Sequence, residues 1–136
     1  MPLPQQGAAA TADIGGRVNK DSLVKGISLG TIGFGVAGAA APSLLIKSYG
    51  SVPTPTARFL ARLWGSRNLT LGVLLLQLEG KARDDLLRLG VAMSALDTVL
   101  GLLAAPVDGL PASTGIAAAA TSAGFAGLFS YTLQLG

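Results

Sequence analysis

The chain has 136 residues, of which half are apolar and only 12% are charged, and its mean hydropathy is +0.57. In soluble domains about a quarter of the residues are charged, so this composition argues against a water-soluble protein. The sequence has no cysteine and no histidine, which excludes a disulfide framework, a thiol nucleophile, an imidazole base and a zinc site. The net charge of +3 is small and dispersed, and the sequence has no cluster of basic residues with aromatic residues that could stack on bases, so we expect no nucleic-acid binding.

Residues 1–22 are polar or small and contain no apolar core of a signal peptide, so they predict a flexible cytoplasmic tail. The first apolar run extends from Leu23 to Ile46. Pro42 near its end is expected to kink the helix or to end its straight part. Gly26 and Gly30 form a GxxxG pattern, which is typical of membrane helices that pack closely.

The second apolar run, from Ala57 to Leu78, has an unusual composition for a membrane helix. Its last ten residues are almost entirely aliphatic, but ten helical residues rise only about 15 Å, half of a ~30 Å hydrocarbon core. The other half of a membrane crossing must therefore include a polar segment that carries Arg58, Arg62, Arg67 and Asn68.

Two further apolar runs complete the chain. A charged turn at residues 79–85 precedes the third run, from Leu86 to Ala105, which has Asp97 at its centre. A second turn, residues 106–113, leads to the fourth run at residues 115–135, which has no charged residue. Small residues and one tyrosine recur there at every fourth position and predict a close-packing face: Gly115, Ala119, Ala123, Gly127 and Tyr131.

Four runs of about 20 residues predict an all-α protein whose residues 23–136 form an antiparallel four-helix transmembrane bundle. A soluble bundle is disfavoured because the fourth run has no polar stripe. Six basic residues in the tail and around the charged turn between the second and third runs oppose two in the first loop, which predicts a multi-pass protein with both termini in the cytoplasm. The membrane would be the endoplasmic reticulum in a eukaryote or the inner membrane in a bacterium. The small-residue faces also predict contacts with partner helices or between copies in a homo-oligomer.

The second and third runs each place one charged residue in the middle of the membrane. Arg67 lies eleven residues before Leu78, where the second run ends, and Asp97 lies eleven residues after Leu86, where the third run begins. In an antiparallel hairpin both residues are therefore about 16 Å from the same interface. Either charge alone would cost about 2.5–3.5 kcal/mol there. We therefore expect an Arg67–Asp97 ion pair, with Asn68 and Ser94 as hydrogen-bond partners.

This pair has two interpretations, a polar pocket or an ion pair that only locks two helices together. Arg62 and Arg67 point about 140° apart on a helix, so one partner helix cannot satisfy both, which favours the pocket. The pocket interpretation assigns catalysis to Arg67, Asn68 and Asp97. It assigns substrate binding to Arg62, Trp64, Ser94 and Tyr131.

The segment RLWGSRNLTLG, residues 62–72, followed by Asp97 one helix later, resembles a domain-of-unknown-function family of small four-helix membrane proteins found in bacteria and fungi. The resemblance covers about residues 26–135. The family often has a carboxylate where this chain has Asn68. Some fungal relatives look like members of natural-product pathways, so the resemblance implies a lipophilic small-molecule substrate. Its distinctive positions are Arg62, Gly65, Arg67, Leu69 and Gly72.

Two functional hypotheses follow. The first is a cofactor-independent, metal-free membrane enzyme that isomerises or cyclises a lipophilic metabolite in a biosynthetic pathway, a cycloaddition included. Arg67 and Asn68 would polarise a carbonyl, Arg62 would anchor a carboxylate, and Asp97 would orient the substrate or accept a proton. The second is a non-catalytic accessory subunit or lipid-binding protein. Transport is a weaker third hypothesis, because no inverted repeat is evident.

Overall fold

The computed structural model describes residues 19–135, which are all helix and connecting turns. The five helices are α1, Lys20–Ala40; α2, Pro42–Ser48; α3, Pro55–Gln77; α4, Gly80–Asp108; and α5, Ala112–Gln134. The predicted all-α class is confirmed for this part of the chain. Residues 1–18 of the predicted tail lie outside the described residues. The end of that tail is helical instead, because Asn19 accepts a hydrogen bond from the backbone N–H of Asp21 and caps α1.

Pro42 divides the first predicted run into two helices. Ala41 leaves the helical conformation with φ −133°, and Pro42 then occupies the first turn of α2. Proline has no N–H to donate and its ring clashes with the preceding turn, so it ends one helix and begins the next. The predicted effect of Pro42 is confirmed.

The predicted charged turn at residues 79–85 is wrong, because α4 begins at Gly80 and only two residues separate it from α3. Gly80 has a φ of 59°, a left-handed value that favours glycine. Asp85 accepts hydrogen bonds from Lys81 at 2.7 Å and from Arg88 at 2.9 Å. These pairs are four and three residues apart and stabilise the first turns of the helix, so charge here is compatible with helix.

The second predicted turn, residues 106–113, is also shorter than expected. Helix α4 continues through Pro106 to Asp108, and Gly109 ends it with a left-handed φ of 73°. The backbone N–H of Gly109 donates to Ala105 and that of Leu110 donates to Ala104, which caps the carbonyls of the last turn. A proline so near the end of a helix removes little of its hydrogen bonding.

The four long helices form two tightly packed antiparallel pairs. In the α1–α3 pair, a Cβ atom added to Gly65 would lie 2.6 Å from the nitrogen of Ala39 and 2.7 Å from the oxygen of Gly35. In the α4–α5 pair, a Cβ atom added to Gly101 would lie 2.8 Å from the nitrogen of Ala119. Backbones approach this closely only where side chains are absent, so glycine positions define both pairs.

Side chains, rather than backbones, join the two pairs. The ring of Phe34 on α1 meets Trp64 on α3 and Phe125 on α5 edge to face, with centroids 6.0 and 5.6 Å apart. Phe129 is fully buried and lies against Gly90 of α4. The seam between the α1–α3 pair and the α4–α5 pair is therefore filled by large aromatic side chains.

The predicted small-residue faces are only partly correct. Gly26 and Gly30 are exposed, and a Cβ atom at either position would meet nothing within 4 Å. In α5, Gly115 and Ala119 pack against α4, but Gly127 is exposed. A step of four residues turns the helix by about 400°, so such a series drifts by about 40° per step and leaves the interface. The exposed glycines remain available for contact with another helix.

The exterior of the described helices is unusually apolar. The outer face of α4 is aliphatic and exposed, for example at Leu96 and Leu100. Hydroxyl side chains are buried beside the apolar core, where Ser28 and Thr31 donate to carbonyl groups of the preceding turn at 2.7 and 2.8 Å. Lipid favours such an aliphatic exterior, and small hydroxyl residues suit close packing between membrane helices.

Three helices, α1, α4 and α5, are long and apolar enough to cross a membrane. These helices agree with the predicted integral membrane protein. Helix α3 is not among the three, because Arg62, Arg67 and Asn68 lower its hydropathy. The prediction of four membrane-crossing helices therefore depends on whether α3 also crosses.

Candidate functional site

The candidate site is centred on an ion pair between α3 and α4. The Nη2 atom of Arg67 donates a hydrogen bond to the Oδ2 atom of Asp97, so the predicted pair is formed. Arg67 lies ten residues from the end of α3, a rise of about 15 Å. Leu78 and Glu79 are extended and connect α3 to α4. The hydrogen bond brings the two charges to the same level of the structure, although the predicted start of α4 was wrong.

The ion pair bridges the seam between the two helix pairs. The backbones of α3 and α4 do not approach each other as those within the pairs do, and the long side chain of Arg67 spans the gap to Asp97. The two side chains are 38% and 24% exposed. The pair is therefore a charged contact between two units that are each already closely packed.

A cavity of about 20 Å³ adjoins the ion pair. This volume is sufficient for one water molecule and far smaller than the roughly 300–1,000 Å³ of sites for small organic ligands. The apolar residues that line it are Trp64, Leu71, Met93, Phe125 and Phe129. The polar residues that line it are Arg67, Asn68, Ser94, Asp97, Thr121 and Ser122.

The structure brings together five of the seven predicted site residues: Trp64, Arg67, Asn68, Ser94 and Asp97. The other two, Arg62 and Tyr131, are exposed and do not line the cavity. Arg62 lies five residues before Arg67, which places its side chain on another side of α3. Tyr131 is three residues from the end of α5, far from the depth of the ion pair.

The predicted hydrogen bonds from Asn68 and Ser94 to the ion pair are not formed. The Nδ2 atom of Asn68 donates to the backbone oxygen of Trp64 at 2.9 Å. The backbone oxygen of Ser94 accepts from the Thr98 hydroxyl at 2.7 Å, and within residues 19–135 the Ser94 hydroxyl has no bond to the pair. Short polar side chains in helices often bond to the preceding turn, which competes with contacts between helices.

Sequence analysis assigned Tyr131 of α5 to the site but missed the polar residues of α5 that line the cavity. Thr121 and Ser122 lie at the middle of this helix and line the cavity. Tyr49, in the turn after α2, donates from its hydroxyl to the Thr121 hydroxyl at 3.1 Å. Position along the helix could have identified Thr121 and Ser122. A residue at the level of charges in the middle of the membrane must lie near the middle of its own helix.

The site offers hydrogen-bond donors together with one carboxylate. The Nε atom of Arg67 is buried and has no acceptor among residues 19–135. The amide of Asn68 uses one of its two N–H groups on the bond to Trp64. These donors could polarise a carbonyl oxygen. No group of three or more metal-ligating side chains occurs in the described part of the chain.

Comparisons of the chain with models of protein families, with curated proteins and with solved structures found no match. The resemblance of residues 62–72 to a family of small membrane proteins therefore stays a prediction. The function has to be inferred from the site itself.

Proposed function

We propose that this chain is an integral membrane protein whose four long helices all cross the bilayer, with both termini in the cytoplasm. The observation that supports this proposal is the packing of α3. It has 23 residues, about 35 Å of helix, and it contacts α1 backbone to backbone at Gly35 and Gly38 and again near Gly72. A helix aligned in this way with a membrane-spanning helix crosses the same layer.

The Arg67–Asp97 site then lies near the middle of the bilayer and binds the polar end of a lipophilic small molecule. Ionisable residues at this depth are costly and are usually functional. The 20 Å³ cavity is too small for such a ligand, so binding requires the seam between the helix pairs to open. The seam is closed by side chains alone, and an oxygen of the ligand would replace Asp97 on the Arg67 guanidinium.

The proposed activity is an isomerisation or cyclisation that needs no cofactor. In an isomerisation, the Asp97 carboxylate removes a proton from the carbon next to a carbonyl group of the substrate. Arg67 and Asn68 donate hydrogen bonds to the carbonyl oxygen, where negative charge develops. The proton then returns from Asp97 to a different carbon, so the double bond moves and nothing is consumed. The predicted resemblance of residues 62–72 to a family of small membrane proteins also supports a lipophilic substrate.

A non-catalytic role is the second candidate, and the small cavity favours it. Arg67 and Asp97 neutralise each other directly, so both charges are accommodated between the two helix pairs without any ligand. In that case the chain would be an accessory subunit or a lipid-binding protein.

Turnover by a charge-neutral variant separates the two candidates. Membranes that contain the chain are supplied with β,γ-unsaturated lipophilic ketones, and the conjugated isomers are followed by ultraviolet absorbance and mass spectrometry. We expect isomerisation by the wild type and at least a hundredfold loss in the Arg67→Gln/Asp97→Asn double variant, because general acid–base catalysis contributes about 10²–10⁴-fold.

The control is Lys47→Gln, which removes an exposed charge on α2 and should leave turnover unchanged. Equal rates in the wild type, the double variant and membranes without the protein would reject the catalytic proposal and leave the non-catalytic one.

A further inference from the structure

A cleft of about 540 Å³ lies at the charged end of the protein, which we define as the start of α1, the end of α3 and the start of α4. Its volume is within the range of small-molecule sites. Val24 and Leu75 are buried and form its floor, which Leu76 and Leu78 extend. Its rim is charged and consists of Asp21, Lys25, Glu79 and Arg83.

The charges of the rim are only partly used within the protein. Arg83 donates a hydrogen bond to Asp21 at 2.9 Å, and its side chain is 16% exposed. Lys25 and Glu79 form no salt bridge with any residue from 19 to 135. In the same part of the chain, the Nε atom of Arg83 is buried and has no acceptor. Among residues 19–135, the rim therefore has one cation and one carboxylate without a salt-bridge partner, and a guanidinium group that uses only part of its donors.

The position of the cleft indicates which molecule can reach it. Helix α3 ends at Gln77 after a run of aliphatic residues, and charged residues follow directly. The hydrocarbon core of a bilayer ends where such a run ends, and the phosphate and amine groups of lipids lie just beyond. The apolar floor then faces acyl chains, and the charged rim lies at the level of the headgroups.

We propose that this cleft binds a phospholipid whose headgroup carries a primary ammonium group, as in phosphatidylethanolamine. The phosphate accepts hydrogen bonds from Lys25 and from the guanidinium group of Arg83, the ammonium group donates to Glu79, and an acyl chain lies against the leucines of α3. The rim has two cations and two carboxylates, so it has no net charge that would favour an anionic lipid. A quaternary ammonium has no N–H to donate to Glu79.

Competition among lipids tests this site. The full chain, freed of lipid in detergent, is mixed with equal amounts of phosphatidylethanolamine, phosphatidylcholine and phosphatidylglycerol, and the bound lipid is measured by native mass spectrometry. We expect about tenfold more phosphatidylethanolamine than either other lipid, because one charge-assisted hydrogen bond distinguishes them. Glu79→Ala, which removes the acceptor, should abolish its preference over phosphatidylcholine, and Lys25→Gln should weaken the binding of both lipids.

The control is Lys81→Gln, which changes an exposed lysine that pairs with Asp85 and does not line the cleft. It should bind lipid as the wild type does. Equal binding of the three lipids by the wild type, or a preference over phosphatidylcholine that survives in Glu79→Ala, would overturn the proposal. Displacement of the lipid by an equal concentration of soluble phosphoethanolamine would also overturn it, since the headgroup alone would then be the ligand. None of these results depends on activity at Arg67.

Discussion

Replacing Asp97 with asparagine should lower the free energy of unfolding of the chain in a lipid bilayer by about 2.5–3.5 kcal/mol, the insertion cost of an unpaired arginine at mid-membrane. The physical reason is that the Arg67 guanidinium would keep its charge while losing its only charged partner within residues 19–135. An asparagine in place of Asp97 can still accept a hydrogen bond but cannot neutralise that charge. Thermal unfolding of the two proteins in lipid nanodiscs measures the difference.

The double variant Arg67→Gln/Asp97→Asn tests whether the two charges are coupled. It removes both charges, so it should recover most of the stability lost in Asp97→Asn. Asp108→Asn is the matched control, because this exposed aspartate lies at the end of the same helix and should change stability by less than about 0.5 kcal/mol. A stable Asp97→Asn variant, or additive losses in the double variant, would mean that the two charges are not coupled.

Replacing Gly65 with alanine should destabilise the chain by about 3 kcal/mol, the upper end of the usual range for overpacking. The added methyl group would lie within 2.6–2.8 Å of backbone atoms of Ala39, Gly35 and Gly38. Backbone atoms cannot move aside as the end of a flexible side chain can, so α1 and α3 would have to separate. Denaturation in nanodiscs measures the loss of stability.

Gly30→Ala provides the matched control on the neighbouring helix. Nothing lies within 4 Å of a Cβ atom at this position. Alanine also favours helix over glycine by about 0.5–1 kcal/mol, so this variant should be as stable as the wild type or slightly more stable. Similar losses in both variants would show that the α1–α3 contact is not the cause.

The positions of the long helices and the meeting of Arg67 with Asp97 could be predicted from the sequence. Both follow from the rise of 1.5 Å per helical residue and from the energetic cost of an isolated charge in lipid. These two quantities are the same in any membrane helix, so they can be applied without knowing the fold. The helix limits were harder. Sequence analysis interpreted the charged residues 79–85 as a turn, yet pairs such as Lys81–Asp85 stabilise a helix there.

The direction in which side chains face could not be predicted from spacing alone. The GxxxG pattern of Gly26 and Gly30 has the usual interface spacing but faces outward, while Gly65, outside such a pattern, lies at a close backbone contact. Which face of a helix is buried depends on the partner helix and its rotation, and these are properties of the whole packing. The same reason explains why Arg62 does not line the cavity beside Arg67 and why the contribution of Thr121 was not predicted.

The central claim is that α3 crosses the membrane together with the three more apolar helices. Since the chain has no cysteine, single cysteines placed at Val52, Ala82 and Ser113 can each be labelled with a membrane-impermeant maleimide in sealed vesicles. If α3 crosses, positions 52 and 113 react from one side and position 82 only from the other. If positions 52 and 82 react from the same side and 113 from the opposite side, α3 does not cross, and Arg67 is not in the middle of the membrane.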